Sequence, residues 1–272
     1  MYDSDKNCVN LRSYQNRPML IDSHTHFYDQ WLLPDADAAV ARALAAGVGK
    51  MVQADVDSRE RDALWAVNDR YPGVLYPMVG LYPCSVGPDW KEEIDKMLPY
   101  RDRGVVAVGE IGLDYHEGDE DRALQKEALR VQLELASAWD LPVNIHLRDA
   151  WGDLLDILED CRHLHLRGIL HCFSGSFEVY ERARRAGDFS VGIGGVVTFK
   201  KASLAETVKR IPLEHIVLET DAPYLAPVPH RGERNESAYL PLVAAKVAEL
   251  KGLTFEAVEA ATTHNAETLY RL

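Results

Sequence analysis

What most constrains this chain is a rhythm: short apolar runs alternate with amphipathic segments from residue 19 onward. Runs over 19–23, 50–55, 74–80, 104–110, 142–147, 167–172, 189–194 and 215–220 read as buried strands, because continuous aliphatic stretches suit a sheet covered on both faces. Helical patterns separate them over 37–46, 89–98, 149–160, 176–186 and 203–210, with a further one opening at Asp57-x-x-Glu60 and carrying Leu64 and Val67. The longest predicted helix spans 120–139, with Leu124, Ala128, Val131, Leu135 and Ala138 at helical spacing, and two or three helices follow Glu236. Parallel strands need long crossovers, which helices supply. Eight such units in 272 residues predict an α/β fold of the (β/α)8 TIM-barrel type. A doubly wound open sheet normally has fewer strands and a Gly-rich first turn, and no such turn follows residues 19–23. The expected organisation is a polar, poorly ordered leader over 1–18 and a single (β/α)8 barrel domain over 19–272.

Composition narrows the function. Thirty Lys plus Arg stand against 43 Asp plus Glu, a formal charge of −13, which argues against a protein that coats nucleic acid by charge alone. An enzyme that grips a few nucleotides through a metal-filled cleft remains compatible, because the metal supplies local positive charge. Cys8, Cys84, Cys161 and Cys172 form no C-x-x-C pair and suit a reduced compartment. Without a signal-like apolar stretch or a membrane-length run, the expectation is a soluble, cytoplasmic, monomeric protein with no membrane partner.

The chemistry gathers where the strands end. The first run closes on His24 and His26, and later runs carry Glu110, His146, His171 and Asp221 at their C-terminal ends. Barrel enzymes place their chemistry on that rim. Four imidazoles and two carboxylates make a nitrogen and oxygen donor set suited to Zn, Mn, Fe, Co or Ni, and tolerable for Mg. Six ligands exceed the need of one tetrahedral ion and fit two divalent ions, Mg, Mn or Zn, bridged by Glu110. The competing reading, six ordinary buried polar residues, is costly without a cation to pair them. His163, His165 and His215 precede strands and belong on the opposite rim, whereas His116, His230 and His264 could approach the site. The proline-studded loop from Asp221 to Asn235 brings His230, Arg231 and Arg234 together as an anion clamp, or is an ordinary surface loop bearing arginines.

Ile21-Asp-Ser-His-Thr-His26, Gly109-Glu-Ile-Gly-Leu-Asp-Tyr115, Leu141-Pro-Val-Asn-Ile-His146, Leu170-His-Cys-Phe-Ser-Gly-Ser176 and Leu218-Glu-Thr-Asp-Ala-Pro-Tyr-Leu225 resemble the TatD family of metal-dependent deoxyribonucleases. So do Pro229-His-Arg-Gly-x-Arg-Asn235 and Thr263-x-Asn265, and the similarity runs collinearly over about residues 19–272. The resemblance implies an amidohydrolase-like barrel that hydrolyses phosphodiester bonds of DNA with divalent metal, typically as a 3′ to 5′ exonuclease. It implies His24, His26, Glu110, His146, His171 and Asp221 as metal ligands, with Asp221 and Glu110 catalytic. The chain departs from the pattern at Gly80-Leu-Tyr-Pro83, where Tyr82 takes the place of a usual histidine beside the metals. Tyr82, His230, Arg231 and Arg234 are thus the candidate substrate contacts. Two other functions stay open: a metal-dependent deacylase or amidohydrolase acting on an ester such as aminoacyl-tRNA, and a barrel that has become a binding scaffold. A scaffold would usually have lost at least one ligand, and all six are present.

Overall fold

The computed structural model describes residues 19–117, 121–200 and 203–272; the expected leader over 1–18 lies outside the described residues. Eight strands follow one another around a single sheet: β1 (Leu20–Thr25), β2 (Val48–Gln53), β3 (Leu75–Val79), β4 (Ala107–Asp114), β5 (Val143–Arg148), β6 (Arg167–Leu170), β7 (Asp188–Ile193) and β8 (Ile216–Leu218). Every neighbouring pair is parallel. The ring closes through a parallel bridge between Thr25 and Ala222, supported by Asp221 N–H donating to the His24 carbonyl (2.9 Å) and His26 N–H to the Ala222 carbonyl (2.8 Å). The fold is the predicted (β/α)8 barrel. Its closing seam is made by the backbone of residues singled out for their chemistry.

The helices are α1 (Ala36–Ala45), α2 (Arg61–Asn68), α3 (Trp90–Asp95), α4 (Arg122–Trp139), α5 (Trp151–Asp160), α6 (Phe177–Ala186), α7 (Leu204–Arg210), α8 (Leu240–Lys251) and α9 (Phe255–Tyr270). Among the described residues, none is long and apolar enough to cross a membrane. Aliphatic side chains such as Leu20, Val48, Val143 and Leu170 pack between strands and helices. A smaller cluster draws Ile21, Val52, Met78, Ala107, Ile169 and Val217 from six of the eight strands, together with Ala266 and Tyr270 of α9. Helix α9 is stapled to the N-terminal rim by Asn265, whose side-chain amide donates to the carbonyls of Leu213 (2.9 Å) and Ile216 (2.8 Å), and by Thr263, which donates to Met19 (3.1 Å). That end serves stability and leaves the C-terminal rim for chemistry.

Two elements depart from the sequence expectation for identifiable reasons. The buried stripe of α4 runs through Gln125, Ala128, Leu129, Gln132, Leu133 and Ala136, while Val131 is exposed. Two glutamines occupy core positions because their amides serve the backbone of β4 and of the loop after β3. Gln125 accepts from Asp114 N–H (2.9 Å) and donates to its carbonyl (3.1 Å), and Gln132 does the same for Leu81 (2.7 and 3.3 Å). A buried polar group with all its partners carries little penalty. Strand β4, expected over 104–110, begins later and continues to Asp114, so Glu110 lies inside it. Its glycines allow a close approach to β5. A Cβ on Gly109 would stand 2.6 Å from Asn144 Cβ, and one on Gly112 (φ +150°) would stand 1.9 Å from the His146 carbonyl oxygen.

Candidate metal centre

Six side chains from five strands or strand ends converge at the C-terminal rim. His24 sits on β1 and His26 just past it, Glu110 on β4, His146 on β5, His171 one residue past β6, and Asp221 three residues past β8. Glu110 stands at the centre. Its Oε2 lies 3.3 Å from His24 Nε2 and 3.8 Å from His26 Nε2, and its Oε1 lies 2.8 Å from His146 Nδ1 and 3.0 Å from His171 Nε2. Asp221 Oδ1 completes the first pair, 3.6 Å from His24 Nε2 and 3.5 Å from His26 Nε2. The donor atoms of His24, His26 and Asp221 lie within 4.8 Å of one another, and so do those of His24, Glu110 and His171. One carboxylate therefore presents one oxygen to each of two histidine pairs.

For His24, His26 and His146 a hydrogen bond on the far side of the ring fixes which nitrogen faces inward, and a nearby carboxylate faces the far side of His171. His26 Nδ1 is 3.1 Å from the Tyr28 hydroxyl, which itself donates to the Ala54 carbonyl (2.7 Å) and so accepts from the imidazole. His24 Nδ1 is 3.0 Å from Asn144 Oδ1, an orientation consistent with the Asn144 amide donating to Ser23 and Tyr270 (both 3.4 Å). His146 Nε2 meets Asp114 Oδ2 at 3.0 Å, and His171 Nδ1 points to Glu219 Oε1 at 3.5 Å. With those outer nitrogens protonated, the inner nitrogens carry free lone pairs, the arrangement in which metal-binding imidazoles are held. Deeper still, buried Asp22 ties β1 to the segment after β8 and to the turn before α8 by accepting from Thr220 N–H (2.9 Å), Thr220 Oγ1 (2.6 Å) and Ser237 Oγ (2.6 Å). Burial pushes its carboxyl up to about 7, against those hydrogen bonds.

The electrostatics call for positive charge. Burial disfavours ionised Glu110, yet the charges of His171 and His24 and the hydrogen bonds of His146 and His171 hold its carboxyl well below the usual range. Asp221 is likewise held low against burial, first by its hydrogen bond with His26 and then by the surrounding imidazole charges. Burial, reinforced by His171, pulls the imidazole of His24 down, whereas Glu110 and Glu219 overcome burial to drive that of His171 well up. Buried His146 Nδ1 and His171 Nδ1 make no aligned hydrogen bond, although His146 Nδ1 touches Glu110. A mixed nitrogen and oxygen donor set with a bridging carboxylate and an inward nitrogen lacking a hydrogen bond fits divalent cations.

The other predicted contacts are spread more widely. Tyr82 packs edge-on against His146, ring centroids 4.9 Å apart. His230 stacks flat on Tyr239 (3.9 Å) and meets Glu233 Oε2 at 2.8 Å, while the Arg231 guanidinium lies over the Phe199 ring at 4.5 Å. Arg234 is engaged elsewhere: it donates to the Trp31 carbonyl (2.9 Å), Asp35 (2.7 Å) and Glu236 (2.7 Å), pinning the loop after β1 to the loop after β8. His116 is exposed beside Asp149 (3.2 Å), and His264 lies exposed on α9. His163, His165 and His215 precede β6 and β8, as expected.

The TatD related DNase family model matches residues 21–271. The uncharacterized metal-dependent hydrolase YabD of Bacillus subtilis is 37% identical over 93% of this chain and 100% of its own length. A Klebsiella pneumoniae protein named 3′-5′ ssDNA/RNA exonuclease TatD is 34% identical over 87% of this chain and 92% of its own. Among solved structures, the TatD homolog YJJV of Escherichia coli K12 superimposes with a TM-score of 0.87 at 30% identity, covering 93% of this chain and 98% of that one.

Proposed function

This chain belongs to the TatD related DNase family, and from that premise we propose a metal-dependent hydrolase that cleaves phosphodiester bonds of DNA, releasing nucleotides from the 3′ end. The observation that carries the reading is the divided carboxylate of Glu110, with Oε2 toward His24 and His26 and Oε1 toward His146 and His171. We assign His24, His26 and Asp221 to one divalent ion, His146 and His171 to a second, and Glu110 to both. The whole unit is one hydrolase domain over residues 19–272. When bound, such ions would supply Lewis acidity that activates water and offsets charge on phosphate.

The protein's own groups supply the rest. Asp221, held ionised at the barrel seam, accepts one proton of the attacking water as the water oxygen bonds to phosphorus; the bond from phosphorus to the 3′ oxygen breaks, and that oxygen takes a proton from solvent to leave as a 3′ hydroxyl. Tyr28, Asn144 and Asp114 hold three of the imidazoles by hydrogen bonds and Glu219 faces the fourth at 3.5 Å, so little rearrangement accompanies the reaction. Burial pushes the Tyr82 phenol far up, and it therefore serves as a neutral hydrogen-bond donor beside His146. His230 and Arg231 contact the phosphate, and Arg234 does so only by sharing its guanidinium with Asp35 and Glu236.

A deacylase acting on a carbonyl ester is the second reading, favoured by the neutral Tyr82 donor where an imidazolium would bind phosphate better. Metal-stripped protein incubated with 5′-labelled single-stranded DNA, with Mg, Mn or Zn restored, separates the two. The expected result is a metal-dependent ladder shortening from the 3′ end and lost in Asp221→Asn. No cleavage of DNA, together with hydrolysis of an aminoacyl ester, would overturn the phosphodiester assignment.

A further inference from the structure

The rim beside the metal centre carries aromatic surface that the chemistry so far leaves unused. Of the five tryptophans, Trp65 and Trp90 are each 5% exposed and Trp139 and Trp151 pack against the core, but Trp31 is 62% exposed. Among the described residues, five of the eight exposed large apolar side chains lie in the loops after β1 and β8: Trp31, Leu33, Tyr224, Leu225 and Val228. Apolar surface concentrated beside a polar cleft marks a place where something binds.

Tyr224 is held through its side chain and Trp31 through its backbone. Asp29 accepts from the backbone N–H of Trp31 (2.7 Å) through one oxygen and from the hydroxyl of Tyr224 (2.8 Å) through the other. Asp29 is itself fixed by its N–H to the carbonyl of His26 (3.0 Å), and Tyr224 by its N–H to the carbonyl of Asp221 (2.7 Å). Asn235 further grips the Tyr224 carbonyl at 2.6 Å. Each aromatic is thus tethered to a residue assigned to the metals, and the Tyr224 ring stands 6.3 Å from the His26 ring. Tyr224 is 48% exposed, so its ring keeps a face available.

We propose that Trp31 and Tyr224 form a stacking site for the bases of a single-stranded nucleic acid whose backbone enters the metal centre, an inference that rests on the nuclease reading. Every base offers a flat π-face, so the site takes single strands with little regard to sequence. A chain of net charge −13 gains little from general attraction to phosphate, and stacking supplies affinity that needs no basic surface. A duplex, with its bases already stacked, would not engage it.

The test is a titration of the intact protein's tryptophan fluorescence, with Mn present, using two strands of equal length and phosphorothioate linkages that resist cleavage. One is an oligothymidylate and the other carries no bases. The expected result is quenching by the oligothymidylate, with roughly ten-fold tighter binding than the base-free strand. Trp31→Phe should abolish most of the quenching, and Trp31→Ala or Tyr224→Leu should erase most of the preference for the base-bearing strand. Equal affinity for both strands, no binding of either, or full quenching in Trp31→Phe would overturn the proposal. Cleavage of an ordinary strand is scored separately. Cleavage without base preference sinks the stacking site alone, whereas base-dependent quenching without cleavage under any metal sinks the nuclease reading and leaves the stacking site standing.

Discussion

Replacing Asp114 by Asn keeps the shape of the side chain and reverses the chemistry it offers to His146. Asp114 Oδ1 accepts from the backbone N–H groups of His116 and Glu117, both at 2.8 Å, and Oδ2 meets His146 Nε2 at 3.0 Å. Burial works against the ionised form, but those three hydrogen bonds, that with His146 foremost, hold the Asp114 carboxyl well below its usual range. In Asp114→Asn the two backbone donors retain the amide oxygen, which leaves the NH2 group facing His146. An NH2 can only donate, so His146 Nε2 must accept and the proton moves to Nδ1, directed at Glu110 Oε1 2.8 Å away. A protonated Nδ1 has no lone pair for a metal. Disrupting such an outer partner typically weakens metal binding about 10- to 100-fold, equivalent to roughly 1.4–2.8 kcal/mol. Competition against a fluorescent chelator, run on both proteins with Mn and Zn, reads the change, and a thermal melt of the metal-free proteins checks that the fold persists. Unchanged affinity and stoichiometry in Asp114→Asn would refute the inward-nitrogen argument for His146.

Four further outcomes are expected. Glu110→Gln should lower metal content at both ligand groups and reduce hydrolysis by more than about 100-fold, read by elemental analysis and turnover, because the amide presents only one good donor. Adding Mn to metal-stripped protein at about 100 times its Kd should stabilise the fold by roughly 2.7 kcal/mol for each site filled, read in a denaturant titration, and a chelator should reverse it. Gly192→Ala would place a Cβ 2.0 Å from buried Glu219 Oε2. Overpacking of that kind costs about 1–3 kcal/mol, visible as a lower urea midpoint. The Asp35 carboxyl is lowered chiefly by its hydrogen bond from Arg234, and that of Glu236 is lowered against burial by Arg42 and Arg234. Acids depressed in the folded state stabilise it above their unfolded values near pH 4 (approximately) and lose that contribution as pH falls through the folded values. The stability gap between the protein and Arg234→Met should therefore be wider at about pH 6 than at about pH 3; a gap independent of pH would show that the network carries no linkage.

The barrel was legible because short apolar runs recur between helical patterns without strict polar alternation, as buried parallel strands allow. The six central residues were legible because imidazoles and carboxylates recur where those runs end. What supports them was not. Tyr28 follows His26 by two positions, Asn144 precedes His146 by two and Glu219 precedes Asp221 by two, the spacing that puts alternate strand residues on one face. That period was available as a signal. The pairing was not, because Asn144 serves His24 rather than His146, and Glu219 serves His171 rather than Asp221. Such contacts cross the barrel and depend on closure. Gln125 and Gln132 misled the phase of α4 for a similar reason, since their backbone partners lie on another element. The Arg234 guanidinium, expected to face an anion, meets Asp35 from a loop far away in sequence.

Anomalous scattering from crystals grown with Mn tests the central claim, that Glu110 divides its carboxylate between two ions. The account predicts two peaks flanking that carboxylate, one against His24, His26 and Asp221 and the other against His146 and His171. A single peak bound only through Oε1 or Oε2, or Mn bound away from Glu110 altogether, would contradict it.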